Sequence, residues 1–158
     1  MITKVYSNNM EPDFISYLKT LKPEDWEKKA TEKWTVKDVV AHMVAWERRD
    51  AEIIPIFWET KKREPWMSTI EEWDEFNAKW VEFYKNYTPE ELIVEWELWQ
   101  KKVTEEINKI GYSNIKSQPD LFDWLLEGGE GSSNVFTMNE GGSHYEHHYK
   151  QIKKAVEG

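Results

Sequence analysis

Four histidines occur in this 158-residue chain, and three of them fall in one pentapeptide, His144-Tyr145-Glu146-His147-His148. Residues four apart on an α-helix sit one above the other, about 6 Å apart. His144 and His148 can therefore hold one cation between them. His147 projects roughly 100° away from His148 and reads as a solvent-side residue. Its three-residue step from His144 also lets it take the place of His148 in the pair. The fourth, His42, sits in Val39-Val40-Ala41-His42-Met43, at or beside the apolar stripe of another helical stretch. A buried imidazole needs a partner for both nitrogens. Taken alone, His42 reads first as a satisfied structural residue, and His144 with His148 as polar surface near a helix end. If the two helices are neighbours, three imidazoles make a site suited to a divalent transition metal, Zn²⁺ or Ni²⁺ first. Three neutral His leave a coordination position open, the pattern of catalytic zinc. Such an ion brings bound water to a pKa near ~7 or holds a substrate thiol as thiolate.

Competing chemistries find less support. The chain has no Cys, so thiolate nucleophiles, Cys-ligated metals and disulfides are excluded. Any thiol must arrive with a substrate. No Glu-x-x-His repeat, His-Glu-x-x-His motif or nucleophile elbow is present. Trp46, Glu47, Glu140 and Tyr145 flank the histidines in sequence and are the candidate binding residues. Glu47 and Glu140 are also candidates for orienting a ligand or moving a proton, although surface placement is the stronger reading for both.

The elements that must position these residues are helical nearly throughout. A first helix is expected over about residues 11 to 21, with Phe14, Leu18 and Leu21 on one face and a short turn at Pro23-Glu24-Asp25-Trp26. Thr35-Val36-Lys37-Asp38 is a capping-box start. From it a stripe runs through Val36, Val39, Val40, Met43 and Val44 to Phe57 and Trp58, with Pro55 as a candidate kink. Ser68-Thr69-Ile70-Glu71 opens a further helix. Its face of Trp73, Phe76, Trp80 and Phe83 reads first as core and second as the wall of a substrate pocket. Thr88-Pro89-Glu90-Glu91 is the clearest helix start. Leu92, Trp96, Trp99, Val103, Ile107 and Ile110 follow as a near-heptad seam to Gly111. Residues 112 to 138 read as a long connection holding one apolar turn, 121 to 126, and a glycine-rich loop, 128 to 133. The last helix is expected from near Gly142 to about Val156. The simplest assembly is an all-α four-helix bundle with an inserted aromatic helix between its second and third helices, forming one domain over 1–158.

Composition agrees with that assembly and narrows the partners. Apolar residues make up 39% of the chain, with ten Trp, against 32% charged, which suits amphipathic helices around an aromatic interior. The formal net charge of -9 repels nucleic acid and anionic membranes. No apolar run approaches the ~20 residues of a membrane span. Residues 1 to 6 lack the apolar stretch of a secretory signal, so a cytoplasmic protein is expected.

Two segments resemble a known superfamily. The run from Trp34 to Glu47, including Ala41-His42-Met43-Val44-Ala45-Trp46, is similar to the second-helix signature of the DinB/YfiT-like proteins. The run His144-Tyr145-Glu146-His147-His148-Tyr149-Lys150-Gln151-Ile152 is similar to their last-helix signature. The resemblance implies up-down-down-up topology and a three-His metal site at His42, His144 and His148. It also implies a hydrolase or a thiol S-transferase, acting on a small electrophilic molecule, with a role in stress or detoxification. Low-molecular-weight thiols such as mycothiol or bacillithiol serve as partners in that superfamily, and homodimers are common. The segment from Trp73 to Tyr87, with Phe122-Asp123-Trp124-Leu125 and His144-Tyr145, also resembles the ClbS/DfsB-like branch. That branch implies the alternative of a non-catalytic small-molecule binding or self-resistance protein. As that branch often lacks the first His, the presence of His42 favours the metal-using reading.

Overall fold

The computed structural model describes residues 11–63, 70–126 and 144–158, apart from the side chains of residues 11–13, 70, 126, 144 and 145. Eight helices and no strand occur among the described residues, so the fold is all-α as expected. They are α1 (Glu11–Lys19), α2 (Pro23–Trp26), α3 (Val36–Thr60), α4 (Ile70–Phe83), α5 (Pro89–Ile110), α6 (Tyr112–Lys116), α7 (Pro119–Leu126) and α8 (His144–Glu157).

The starts of α3 and α5 follow from their caps. Thr35 Oγ1 accepts from the Asp38 amide at 3.2 Å, and the Asp38 carboxylate accepts from the Thr35 amide at 3.1 Å. Two backbone donors that the helix cannot satisfy itself are thereby occupied. Thr88 caps α5 with one such bond, accepting from the Glu91 amide at 3.1 Å without the reciprocal carboxylate bond, and Pro89 holds the first helical position. Gly111 ends α5 at φ 96, a backbone conformation that costs a side-chain-bearing residue far more than glycine. The helix of α3 runs for 25 residues, about 37 Å at 1.5 Å per residue, and contains Pro55 without ending there.

The core hangs on α3. Fourteen of its residues are buried, and its most extensive partner is α5. Two apolar clusters form along this pair. In the first, Val36 to Ala45 pack with Leu92, Ile93 and Trp96, with Phe14 and Leu18 of α1, and with Ile152 of α8. In the second, Ala51 to Phe57 pack with Val103, Ile107 and Ile110. Early residues of α3 meet early residues of α5, and late meet late, so the two helices run parallel. A parallel pair cannot be joined by a tight turn; the chain must return the length of the helix. The segment carrying α4 makes that return, as an inserted helix between the second and third bundle helices requires.

Two expectations are corrected. The aromatic stripe of α4 is mostly not core: Trp73 and Phe83 are exposed, and Phe76 and Trp80 are half-buried. Only Tyr84, just beyond the helix, is sealed. The helix packs one face against α3 and leaves the other to solvent. The connection after Gly111 holds more helix than one apolar turn. Its described part folds into α6 and α7, because Ile115, Leu121, Phe122 and Leu125 all close the second cluster. The start at Ser68 and Thr69 and the glycine-rich stretch 128–133 lie outside the described residues. No helix among the described residues is long and apolar enough to cross a membrane.

Trp96 is fully buried and meets Phe14 edge-on at 5.0 Å. Trp96→Ala should lower unfolding free energy by about 3–5 kcal/mol through the cavity it leaves. Leu98→Ala, at a position 50% exposed, should stay within about 0.5 kcal/mol of the parent. Urea unfolding of both variants checks this contrast.

Candidate functional site

His42 lies on the second turn of α3, inside the first apolar cluster, and is 3% exposed. Its Nδ1 sits 2.7 Å from the Val39 carbonyl oxygen. A carbonyl can only accept, so Nδ1 carries the proton and the lone pair is on Nε2. His148 comes from α8, where Ile152 one turn later anchors the helix in the same cluster. His148 is 8% exposed. Its Nδ1 donates to Gln151 Oε1 at 2.9 Å, which sets the same tautomer. The two rings meet edge-on with centroids 4.6 Å apart. Trp34 flanks His42 at 5.0 Å, and His147 flanks His148 at 5.0 Å.

Burial decides the charge of this pair. It pushes the His42 imidazole down to about 3, helped by repulsion from His148 and only partly offset by the Val39 hydrogen bond. His148 is pushed down to about 4 by burial; the Gln151 bond opposes that shift and His147 adds to it. Both rings are therefore neutral at pH 7. Neutral imidazole is the form that binds a metal ion, because ligation uses the lone pair. Two uncharged nitrogen donors, both with Nδ1–H tied to an oxygen, fit a borderline divalent ion.

The structure thus brings together two of the three expected ligands, from helices a hundred residues apart in sequence. His144 opens α8 one turn before His148; its side chain, like that of Tyr145, lies outside the described ones, and Glu140 lies outside the described residues. Among the described residues no cluster of three or more metal-ligating side chains occurs. His147 is exposed, as its helical angle predicts.

Trp46 and Glu47 turn away into separate roles. The Trp46 indole N–H donates to Asn77 Oδ1 at 2.8 Å, and its ring packs on Phe76 at 4.4 Å, so it fastens α4 to α3. Glu47 is not on the surface: it is wholly buried. The Gln100 amide, oriented to satisfy both groups, donates to the two Glu47 carboxylate oxygens at 3.2 and 2.9 Å. Asp50, one turn later, is buried with them. These three residues form a polar layer at the junction of the two apolar clusters.

Gln100, Asp50 and Gln151 join these sites without a motif that announces them. Gln100 falls inside the α5 seam, four after Trp96 and three before Val103, so its burial was readable. Asp50 shares a helical face with Glu47, and Gln151 lies three residues after His148. The partners across helices give these positions their roles, and helical spacing alone does not name partners.

A sequence profile of the mycothiol maleylpyruvate isomerase N-terminal domain family matches residues 13–109. The match includes His42 and stops before α8. No curated protein and no solved structure matches the chain.

The depressed His values predict an acid weakness with a definite sign. Well above pH 6.5 both imidazoles are neutral folded and unfolded, and their contribution to stability is complete. As pH falls toward 4, the unfolded chain takes up protons that the folded protein refuses, so stability is lost. Each group contributes a slope of up to roughly 1 kcal/mol per pH unit. In metal-free protein, His42→Gln should flatten the pH dependence of the urea midpoint between about 6.5 and 4. An unchanged slope would mean that His42 is not held neutral.

Proposed function

We propose that this chain, which belongs to the mycothiol maleylpyruvate isomerase N-terminal domain family of the DinB/YfiT-like superfamily, is a metal-dependent enzyme that acts on a small electrophilic molecule with a low-molecular-weight thiol. One observation carries the reading: His42 and His148 meet as neutral imidazoles with ring centroids 4.6 Å apart. In this proposal they are two of the ligands, and His144, one turn before His148 on α8, supplies the third. Zinc or nickel suits three nitrogens and no sulfur. The bound ion would supply positive charge that lowers the pKa of a thiol.

The chain's own residues do the rest. With no Cys in the sequence, the sulfur nucleophile comes from outside, which agrees with the thiol in the family's description. Trp34 and the first apolar cluster keep the His pair dry, which strengthens any charge interaction there. The Val39 carbonyl and the Gln151 amide hold the two Nδ1 protons, so ligation falls to Nε2 at both rings. The family description names mycothiol, which favours a thiol-dependent reaction over simple hydrolysis.

Metal content of tag-free protein tests the proposal. About one equivalent of a divalent transition ion is expected after loading, and His42→Ala and His148→Ala should each weaken binding strongly. Loss of a test electrophile should then require both the ion and an added thiol. Less than ~0.2 equivalents, with no tight Zn²⁺ or Ni²⁺ uptake, would leave a non-catalytic binding protein as the better reading.

A further inference from the structure

We propose that Gln151 is a positioning residue, fixing the tautomer of His148 and setting how strongly that imidazole donates to a metal ion. The inference rests on the reading of His42 and His148 as ligands. It grows from a difference between them. The Nδ1 proton of His42 is held at 2.7 Å by a main-chain carbonyl inside α3. No side-chain substitution removes that acceptor. The Nδ1 proton of His148 is held at 2.9 Å by a side chain, the half-buried Gln151. The three-residue step along α8 puts the two on one face.

The acceptor's chemistry matters as much as its place. A carboxylate at this position would bear charge, pull harder on the Nδ1 proton and make Nε2 more basic. A neutral amide with its oxygen turned to the ring, as here, favours the same tautomer with a weaker pull. Gln151 therefore orients His148 while keeping it a moderate donor, and the α8 arm of the site is the adjustable one. Partners of this kind typically change metal affinity 10–100-fold when removed.

The experiment uses the full chain and three proteins: parent, Gln151→Leu and Gln151→Glu. In metal-free samples, ¹⁵N imidazole shifts of His148 should report Nδ1–H in the parent and in Gln151→Glu. Gln151→Leu should lose that preference. In Zn²⁺ competition titrations, Gln151→Leu should bind about 10–100-fold more weakly, and Gln151→Glu at least as tightly as the parent. A leucine variant with the parent's tautomer and affinity overturns the proposal. So does a glutamate variant that binds as weakly as the leucine one. If the parent binds no metal, the ligand reading falls by itself, and the tautomer measurement still decides the role of Gln151. Circular dichroism of the conservative glutamate variant guards against misfolding.

Discussion

A single helix buried on most of its circumference constrains the rest of this protein. Along α3, His42, Glu47 and Asp50 go under with the apolar residues. Leaving such groups without partners costs about 1–3 kcal/mol each, so the surroundings of α3 must supply acceptors and donors as well as volume. His42 loses its charge and uses its own helix's carbonyl. Glu47 takes the Gln100 amide from α5. That bond ties α5 to α3 at the level between the two apolar clusters. The polar layer and the apolar clusters on either side of it specify one alignment together.

The same constraint explains the odd character of α4. Parallel packing of α3 on α5 obliges the chain to travel back, and α4 rides on the outside of that pair. It is fastened by Trp46 to Asn77 and Phe76, and by the Arg48 guanidinium, which lies over Trp80 at 4.8 Å and Trp99 at 5.2 Å while pairing with Glu52. Cation–π contacts at such partly exposed places contribute about 0.5–1 kcal/mol. The large rings are used here to dock a helix over polar neighbours, which a Leu stripe could not do. Both fasteners stand within two turns of His42 on the same helix, so the docking of α4 and the histidine site share one rigid element.

What could be read from the residues alone divides along physical lines. Local chemistry was legible. The box at Thr35, the Thr88 cap, the stop at Gly111 and the stripe from Val36 to Val44 need only neighbours in sequence, and the structure contains each of them. The exposed angle of His147 was legible for the same reason. The meeting of His42 with His148 was legible only through the bundle assembly and the superfamily resemblance, since helical spacing says nothing about which helices touch. Burial was misjudged where it depends on a distant partner. Glu47 reads as one more surface acid among thirty, and the Gln100 amide, fifty-three residues on, helps to make its burial tolerable. The α4 rings erred in the opposite direction: a heavy aromatic face implied a core, but no helix covers its outer side among the described residues. In α6 and α7, short apolar runs looked like loop because their partners lie on α3 and α5.

A neutral imidazole at position 42 makes poor sense as packing. Its neighbours are Val39, Val40, Met43 and Val44, all fully buried, and a Met or Leu would fill the same space without a polar edge. The ring instead brings a donor and an acceptor into an apolar cluster, and it makes stability fall in mild acid. His148 repeats the choice from the opposite helix, so the core carries two such penalties edge to face, and His148 adds to what burial does to His42. Positions where local choices work against stability are where function concentrates in natural sequences. Two rings kept unprotonated at neutral pH, with their Nδ1 protons already committed, suit the ligand role proposed for them, because protons would otherwise compete for the same lone pairs.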